Sequence, residues 1–232
     1  MKVVLLGKRY EDRIFTLNIL NVGETNVCSS YKERRGGAYN LVDANVDGID
    51  FVPIIRGSKA AFVINDRASS ARTSIVLNNE PSMYDSEDLK SLNDDCDWVH
   101  VSYIDDIEQY DVLLNIPHPI SIDFCTVKPR EEFIDIIKKA EIVFDSRERR
   151  FLYSNLRIAT PIILHDENGT EIMQSGITTA TIDMTPVDNL EVNGAGDVYA
   201  ANFIKNYKIY GIIKAAKIAM SNTTKFLIER NP

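Results

Sequence analysis

Asn193-Gly194-Ala195-Gly196-Asp197 is the stretch whose residue types could do chemistry, and the helix-like run 198–208 follows it directly. Glycines at 194 and 196 allow a tight turn and a close approach of backbone to a ligand, because neither carries a Cβ. The amides of a first helical turn have no intrahelical partner and carry partial positive charge, so a Gly-rich turn feeding a helix suits an anion. A carboxylate at Asp197 could take the proton of an attacking hydroxyl while the amides of Ala195, Gly196 and Asp197 hold charge developing on a phosphoryl group. The same pentapeptide also suits a plain strand-to-helix turn, with Asp197 placed only to favour the helix dipole.

Other polar residues stand where they could serve such a site. Asp12 follows an apolar run, 3–6, that reads as a strand ended by Gly7, and ligands of α/β sheets bind beyond strand ends. From the residues alone Asp12 reads more readily as a solvated loop carboxylate. Gly36-Gly37 precedes Asn40, and a helix from there would end at Gly48. Asp145 and Glu148 follow the strand-like run 141–144, although Glu148-Arg149-Arg150 also fits a charged helix face. Arg34 and Arg35 could reach an acidic substrate or simply lie solvated. His100, inside the run 98–103, reads as structural. No Gly-x-x-x-x-Gly-Lys-Ser/Thr occurs, which argues against a P-loop kinase.

Gly194-Ala195-Gly196-Asp197 resembles the C-terminal signature of the ribokinase (PfkB) family of carbohydrate kinases, and the other groups follow in that family's order. The resemblance implies Asp197 as catalytic base and Gly194, Ala195 and Gly196 as the anion hole. It implies Asp12, Gly36, Gly37 and Asn40 as acceptor-binding residues. Glu148 would act through water on magnesium, with Asp145 where the family has Asn. Glu191, Asn193 and Asn222 would lie on the nucleotide side. Leu164-His165-Asp166 replaces the family's Thr-x-Gly, and Val192 replaces a Thr. The implied activity is ATP-dependent phosphorylation of a hydroxyl group on a sugar, nucleoside or related small molecule, with ATP and Mg2+ as cofactors. The alternative is a catalytically weak or inactive relative that binds a small molecule as a regulatory module.

The elements that must position these residues imply an α/β chain. The resemblance specifies a ribokinase-like three-layer α/β/α sandwich with a mostly parallel central sheet and a small β lid. One domain would span 1–232, with lid strands within about 13–33 and within 51–77, whose free edges could pair into a homodimer. Strands are expected at 3–6, 14–22, 27–31, 51–55, 60–64, 73–77, 98–103, 120–124 and 141–144. A hairpin at 161–173 has Asn168-Gly169 as a type I′ turn. Helices are expected at 129–139, 198–208 and 210–227.

Composition agrees. A chain of 232 residues that is 44% hydrophobic suffices for one α/β core. Net charge of −8 argues against nucleic-acid or anionic-membrane partners. Cys28, Cys96 and Cys125 are far apart and form no CxxC, which suits a reducing, cytoplasmic setting. The N-terminal apolar run is too short for a signal peptide, and no run approaches membrane-spanning length.

Overall fold

The computed structural model describes residues 1–69, 72–77, 82–84, 86–90, 92, 96–187 and 191–230. In chain order it forms β1 (Lys2–Leu17), β2 (Ser30–Gly37), α1 (Tyr39–Asp43), β3 (Asp50–Asp66), β4 (Arg72–Leu77), α2 (Ser86–Lys90), β5 (Trp98–Ser102) and β6 (Ile120–Asp123). There follow α3 (Ile134–Lys139), β7 (Ile142–Ser146), β8 (Ile162–Asp166), β9 (Gly169–Gln174), β10 (Ile177–Asp183), α4 (Ala195–Tyr210) and α5 (Ile212–Arg230).

One sheet runs in the order β10-β9-β8-β7-β6-β5-β1-β3-β4, with β2 on the side of β1. Pairing is parallel from β8 to β3 and antiparallel at β9 and β10. Alternate residues of each strand point to opposite faces, and here both faces are apolar. Val4, Leu6, Val99, Val101, Ile122 and Val143 pack against the α3 side, which carries Phe133, Ile136 and Ile137. Val3, Leu5, Trp98, Ile142, Phe144 and Ile163 pack against α1, α4 and α5 through Leu41, Phe203, Ile204 and Ala216. The result is the expected α/β/α sandwich. Among the described residues no helix is long and apolar enough to cross a membrane.

The two longest strands carry the chain beyond this core. β1 and β3 have 16 and 17 residues, so each extends about 50 Å. Their outer halves pair with β2 and β4 to make an outlying sheet, where the sequence places its lid strands. Positions 70 and 71, inside the 51–77 lid segment, lie outside the described residues.

Several boundaries differ from the sequence reading. Gly7 does not end β1; the register against β3 shifts between Gly7 and Arg9, and the strand runs on to Leu17. A side chain at Gly7 would collide with the Ser102 carbonyl, so the irregularity sits where two backbones nearly touch. Of the strand expected at 14–22 only 14–17 is strand, the end of β1, and of that at 27–31 only Ser30 and Tyr31, the start of β2; the strands at 51–55 and 60–64 are one continuous β3. The helix after Gly37 is only the five-residue α1. The 129–139 helix begins as a 3-10 turn, Arg130–Phe133, before α3. In the β8–β9 hairpin Asp166 pairs with Gly169, so Glu167 and Asn168 form the turn. Gly169 takes the positive φ, +139°, and Glu167 and Asn168 do not, which excludes type I′.

Candidate active site

Gly194, in the left-handed region at φ +81°, turns the chain into α4. A Cβ there would lie 3.0 Å from Cγ of Asn40, so this turn is also where α1 and α4 approach. The helix starts at Ala195, three residues before the apolar run suggests, which puts Asp197 in its first turn. The Ala195 amide donates to the Val192 carbonyl at 2.9 Å. That removes it from the anion hole the sequence suggests and leaves the amides of Gly196 and Asp197 for the task. Gly196 lies against the His165 ring, whose Cε1 would be 3.3 Å from an added Cβ.

Asp197 is buried at 3% exposure. Its Oδ2 accepts from Asn40 Nδ2 at 2.8 Å. The Tyr103 hydroxyl donates across both oxygens, at 3.2 Å to Oδ1 and 3.3 Å to Oδ2. Burial raises its pKa to about 6, opposed by the Asn40 and Tyr103 hydrogen bonds. A carboxyl poised there is ionised at neutral pH and still basic enough to take a proton.

β1 and β2 supply the facing wall. Asp12 lies within the strand rather than in a loop, on its inward side with Lys8 and Tyr10. Its Oδ2 accepts from Asn193 Nδ2 at 3.0 Å and lies 3.9 Å from Nε of Arg34. Burial raises the Asp12 pKa, while Asn193 and Arg34 hold it down. Gly36 and Gly37 end β2 beside this carboxylate. A Cβ on Gly36 would lie 2.7 Å from Cγ of Asp12, and one on Gly37, at φ +63°, would lie 2.5 Å from the Lys8 carbonyl.

Arg34 also donates to the Asn193 carbonyl and lies 3.7 Å from Oε1 of Glu191, which pairs with Lys32 at 3.2 Å. The side chains of Asn193 and Glu191 thus meet the outlying strands, whereas the resemblance puts them on the nucleotide side. The cause is charge and pairing: a buried Asp12 needs a donor, and the largely buried Arg34 needs acceptors, while Lys32 is mostly exposed.

On the other side of Asp197, Asp145 is fully buried between two guanidinium groups. Arg130 Nη2 donates to it at 2.8 Å, Arg149 Nε donates to its other oxygen, and the Tyr153 hydroxyl donates at 2.7 Å. Its charge is therefore already compensated, and the extra negative charge that the Asn-to-Asp difference suggests does not face the site. Glu148 is exposed. Asp166 pairs with Arg147 at 3.3 Å. His165 stacks on Tyr199 with centroids 4.4 Å apart, and burial lowers its pKa to about 4, so the ring is neutral. Asn222 donates to Asn202 Oδ1 at 2.8 Å, tying α5 to α4.

Sequence reasoning misses Tyr103, Lys59 and Asp106. The Tyr10 hydroxyl and the Lys59 ammonium both donate to the buried Asp106. Asp123, at the end of β6, is buried, and its pKa is raised by burial and then by the nearby charges of Asp197 and Asp145. A Tyr just past a strand end that faces a Gly-rich helix start is the signal that could have found Tyr103. Among the described residues, Asp105, Asp106 and Cys125 are the group close enough to hold a metal. Asp106 is already paired with Lys59, and Asp105 accepts from Thr126.

No protein-family model and no curated protein matches the sequence. Solved structures do match in shape. The Methanocaldococcus jannaschii nucleoside kinase, described as an archaeal member of the ribokinase family, superposes with a TM-score of 0.67 at 16% identity, over 98% of this chain and 91% of its own. Arabidopsis thaliana ribokinase, complexed with ribose and ATP, gives 0.68 at 12% identity over 97% of this chain and 92% of its own. Burkholderia thailandensis nucleoside kinase, in complex with inosine, gives 0.68 at 12% identity over 97% of this chain and 91% of its own. The two-faced parallel sheet, with β1 and β3 running out into a second small sheet over the start of α4, is the ribokinase-like fold.

Proposed function

We propose that this protein is an ATP-dependent kinase of the ribokinase family that phosphorylates a hydroxyl group of a sugar, nucleoside or related small molecule. The carrying observation is Asp197, buried in the first turn of α4 behind Gly194-Ala195-Gly196 and held by Asn40. Fold neighbours described with ribose and ATP, and with inosine, support the substrate classes.

The residues present fit a phosphate group. α4 has 16 residues, its first-turn amides at Gly196 and Asp197 point out of the helix start, and a side chain at 196 would press on His165. Mg-ATP, when bound, supplies the phosphoryl group. Asp197 takes the proton of the acceptor hydroxyl as its oxygen bonds to the γ-phosphorus and the bond from that phosphorus to the ADP oxygen breaks, so that ADP leaves. The two amides stabilise the charge on the transferring group. Asp12, with its Oδ2 held by Asn193, offers Oδ1 to another acceptor hydroxyl. Gly36 and Gly37 let the acceptor approach the backbone, and Asn40 orients the base. Exposed Glu148 would act on magnesium through water. The outlying sheet acts as a lid that keeps water from the phosphoryl group. Its β4 strand is exposed at Ile75, Val76 and Leu77, which suits pairing of lids in a homodimer.

The compensated Asp145 and the Arg147–Asp166 pair favour a second reading, a weak or inactive binding module, because both engage charges on the donor side. ADP production from Mg-ATP over a panel of sugars, sugar phosphates and nucleosides tests the kinase. Acceptor-dependent turnover lost in Asp197→Asn supports it. Absence of both turnover and direct Mg-ATP binding favours the second reading.

A further inference from the structure

Tyr103 follows β5 directly and belongs to neither Gly-rich segment, yet its hydroxyl lies across both oxygens of Asp197. Its place is braced from the outlying sheet. Asp106, three residues on, accepts from Lys59 of β3 and from Tyr10 of β1. The Tyr10 ring meets the Tyr103 ring edge-on at 5.9 Å and 79°. The Asp106 amide donates to the Tyr103 carbonyl at 3.0 Å, closing the turn that carries the phenol.

We propose that Tyr103 is a positioning residue for Asp197, its hydroxyl and the Asn40 amide together fixing the plane in which the carboxylate faces the acceptor. This rests on the reading of Asp197 as the base, but the bond itself can be tested without any turnover. Two donors from different elements define a plane: Asn40 from α1 binds one oxygen, and Tyr103 bridges the pair. Either alone leaves the carboxylate free to rotate about its Cβ–Cγ bond. Tyr103 does not itself supply a proton. Burial and the neighbouring Asp197, Asp123, Cys125 and Tyr10 hold its phenol well above the usual range. The other charged groups acting on Asp197 are Asp12 from β1, which raises its pKa, and Arg72 from β4, which lowers it. Asp123 of β6 feels the same carboxylate.

The experiment is a pH titration of the apo protein by carbon NMR, with aspartate carboxyl and tyrosine ring carbons labelled. In the wild-type protein the Cζ resonance of Tyr103 should move with the midpoint of the Asp197 carboxyl. In Tyr103→Phe that carboxyl should titrate roughly half to one pH unit higher, since a long bridging bond is weaker than a full hydrogen bond to a charged group. Tyr10→Phe keeps the Tyr103 hydroxyl and should leave a Tyr103 signal still coupled to Asp197. A Tyr103 resonance that ignores the Asp197 titration overturns the proposal, and needs no variant to fold. So does an Asp197 midpoint unmoved in Tyr103→Phe. Loss of the base reading would show separately, as normal turnover in Asp197→Asn with the NMR coupling intact.

Discussion

Asn40 and Asp197 stand 157 positions apart in the chain, and the amide of the first donates to the carboxylate of the second at 2.8 Å. That bond joins α1, which follows the Gly36-Gly37 end of β2, to the first turn of α4. The Gly36-Gly37 end of β2 and the Gly194–Asp197 turn are thereby tied together. It also sets the state of the base, because a donor to the ionised form opposes the burial that would protonate it. Asp197→Asn should lower turnover by about 10²- to 10⁴-fold. The acid limb of the wild-type pH–rate profile should lie near pH 6, the value to which burial moves this carboxyl.

The same substitution should make the protein more stable at pH 7. Asp197 binds its proton more tightly in the folded chain, about 6, than at its usual 3.8. Its contribution to stability is thus full below pH 3.8 and is lost as pH rises through about 6. At neutral pH the ionised group costs about 3 kcal/mol at most, at about 1.4 kcal/mol per pKa unit. Urea midpoints of wild type and Asp197→Asn, measured across pH, should differ most at pH 7 and converge at low pH. Equal midpoints at neutral pH would show that the carboxylate is not strained by burial.

Gly36 and Gly37 should respond differently to alanine. Gly37 sits at φ +63° against the Lys8 carbonyl, so Gly37→Ala meets both backbone strain and a collision with backbone. Its thermal midpoint should fall, by an amount equivalent to more than about 1 kcal/mol. Gly36 meets only the Asp12 carboxylate. Gly36→Ala should fold but displace Asp12, raising the acceptor KM more than it lowers kcat. Steady-state kinetics of the pair would separate the two effects.

How far the site is legible in the sequence follows from how its residues are fixed. Gly194, Gly196, Gly36 and Gly37 are legible because backbone approach admits no side chain, and the chain advertises that need locally. The extension of β1 is not legible. Lys8, Tyr10 and Asp12 alternate correctly for a strand, but their inward face is the site rather than an apolar core, so polar residues at inward positions read as a loop. Tyr103 and Asp106 share one turn after β5 and Lys59 comes from β3, so only the strand-end position of Tyr103 is a local signal, and the contacts that join the three are long-range. Asp145 is legible as a position and not as a role. Its neutralisation depends on Arg130, 15 residues away, being turned inward by a 3-10 turn that propensity does not forecast.

Arg34 links the outlying sheet to the site through the Asn193 carbonyl and the Asp12 carboxylate. Arg34→Met keeps much of the stem and removes the charge. Asp12, already shifted upward by burial, then loses an opposing charge and should titrate higher still. Acceptor binding should weaken about tenfold or more, given the usual strength of hydrogen bonds to charged groups. The pH below which acceptor binding fails should rise. Isothermal titration with the acceptor identified by the panel, at several pH values, reads both. Unchanged affinity across pH would remove Arg34 and Asp12 from the acceptor wall.

Among the described residues Arg130 and Asp145 form the deepest ion pair, with neither side chain exposed. Arg130 also donates to the carbonyls of Thr126 and Lys128 and lies 3.9 Å over the Phe124 ring. Removing one partner leaves the other charge buried, which typically costs about 3–5 kcal/mol, whereas the intact pair adds little net stability over an apolar replacement. Arg130→Met should therefore lower the denaturation midpoint strongly, even though Arg149 still reaches Asp145. Asp145→Asn is the sharper probe. It matches the residue common at this place in the ribokinase family, and it leaves two guanidinium groups with less charge to answer. If the donor side has been adapted to a compensated carboxylate, Asp145→Asn should destabilise the fold and free Arg149 toward an anion, tightening phosphate binding. Unchanged phosphate affinity together with lost stability would make the network purely structural.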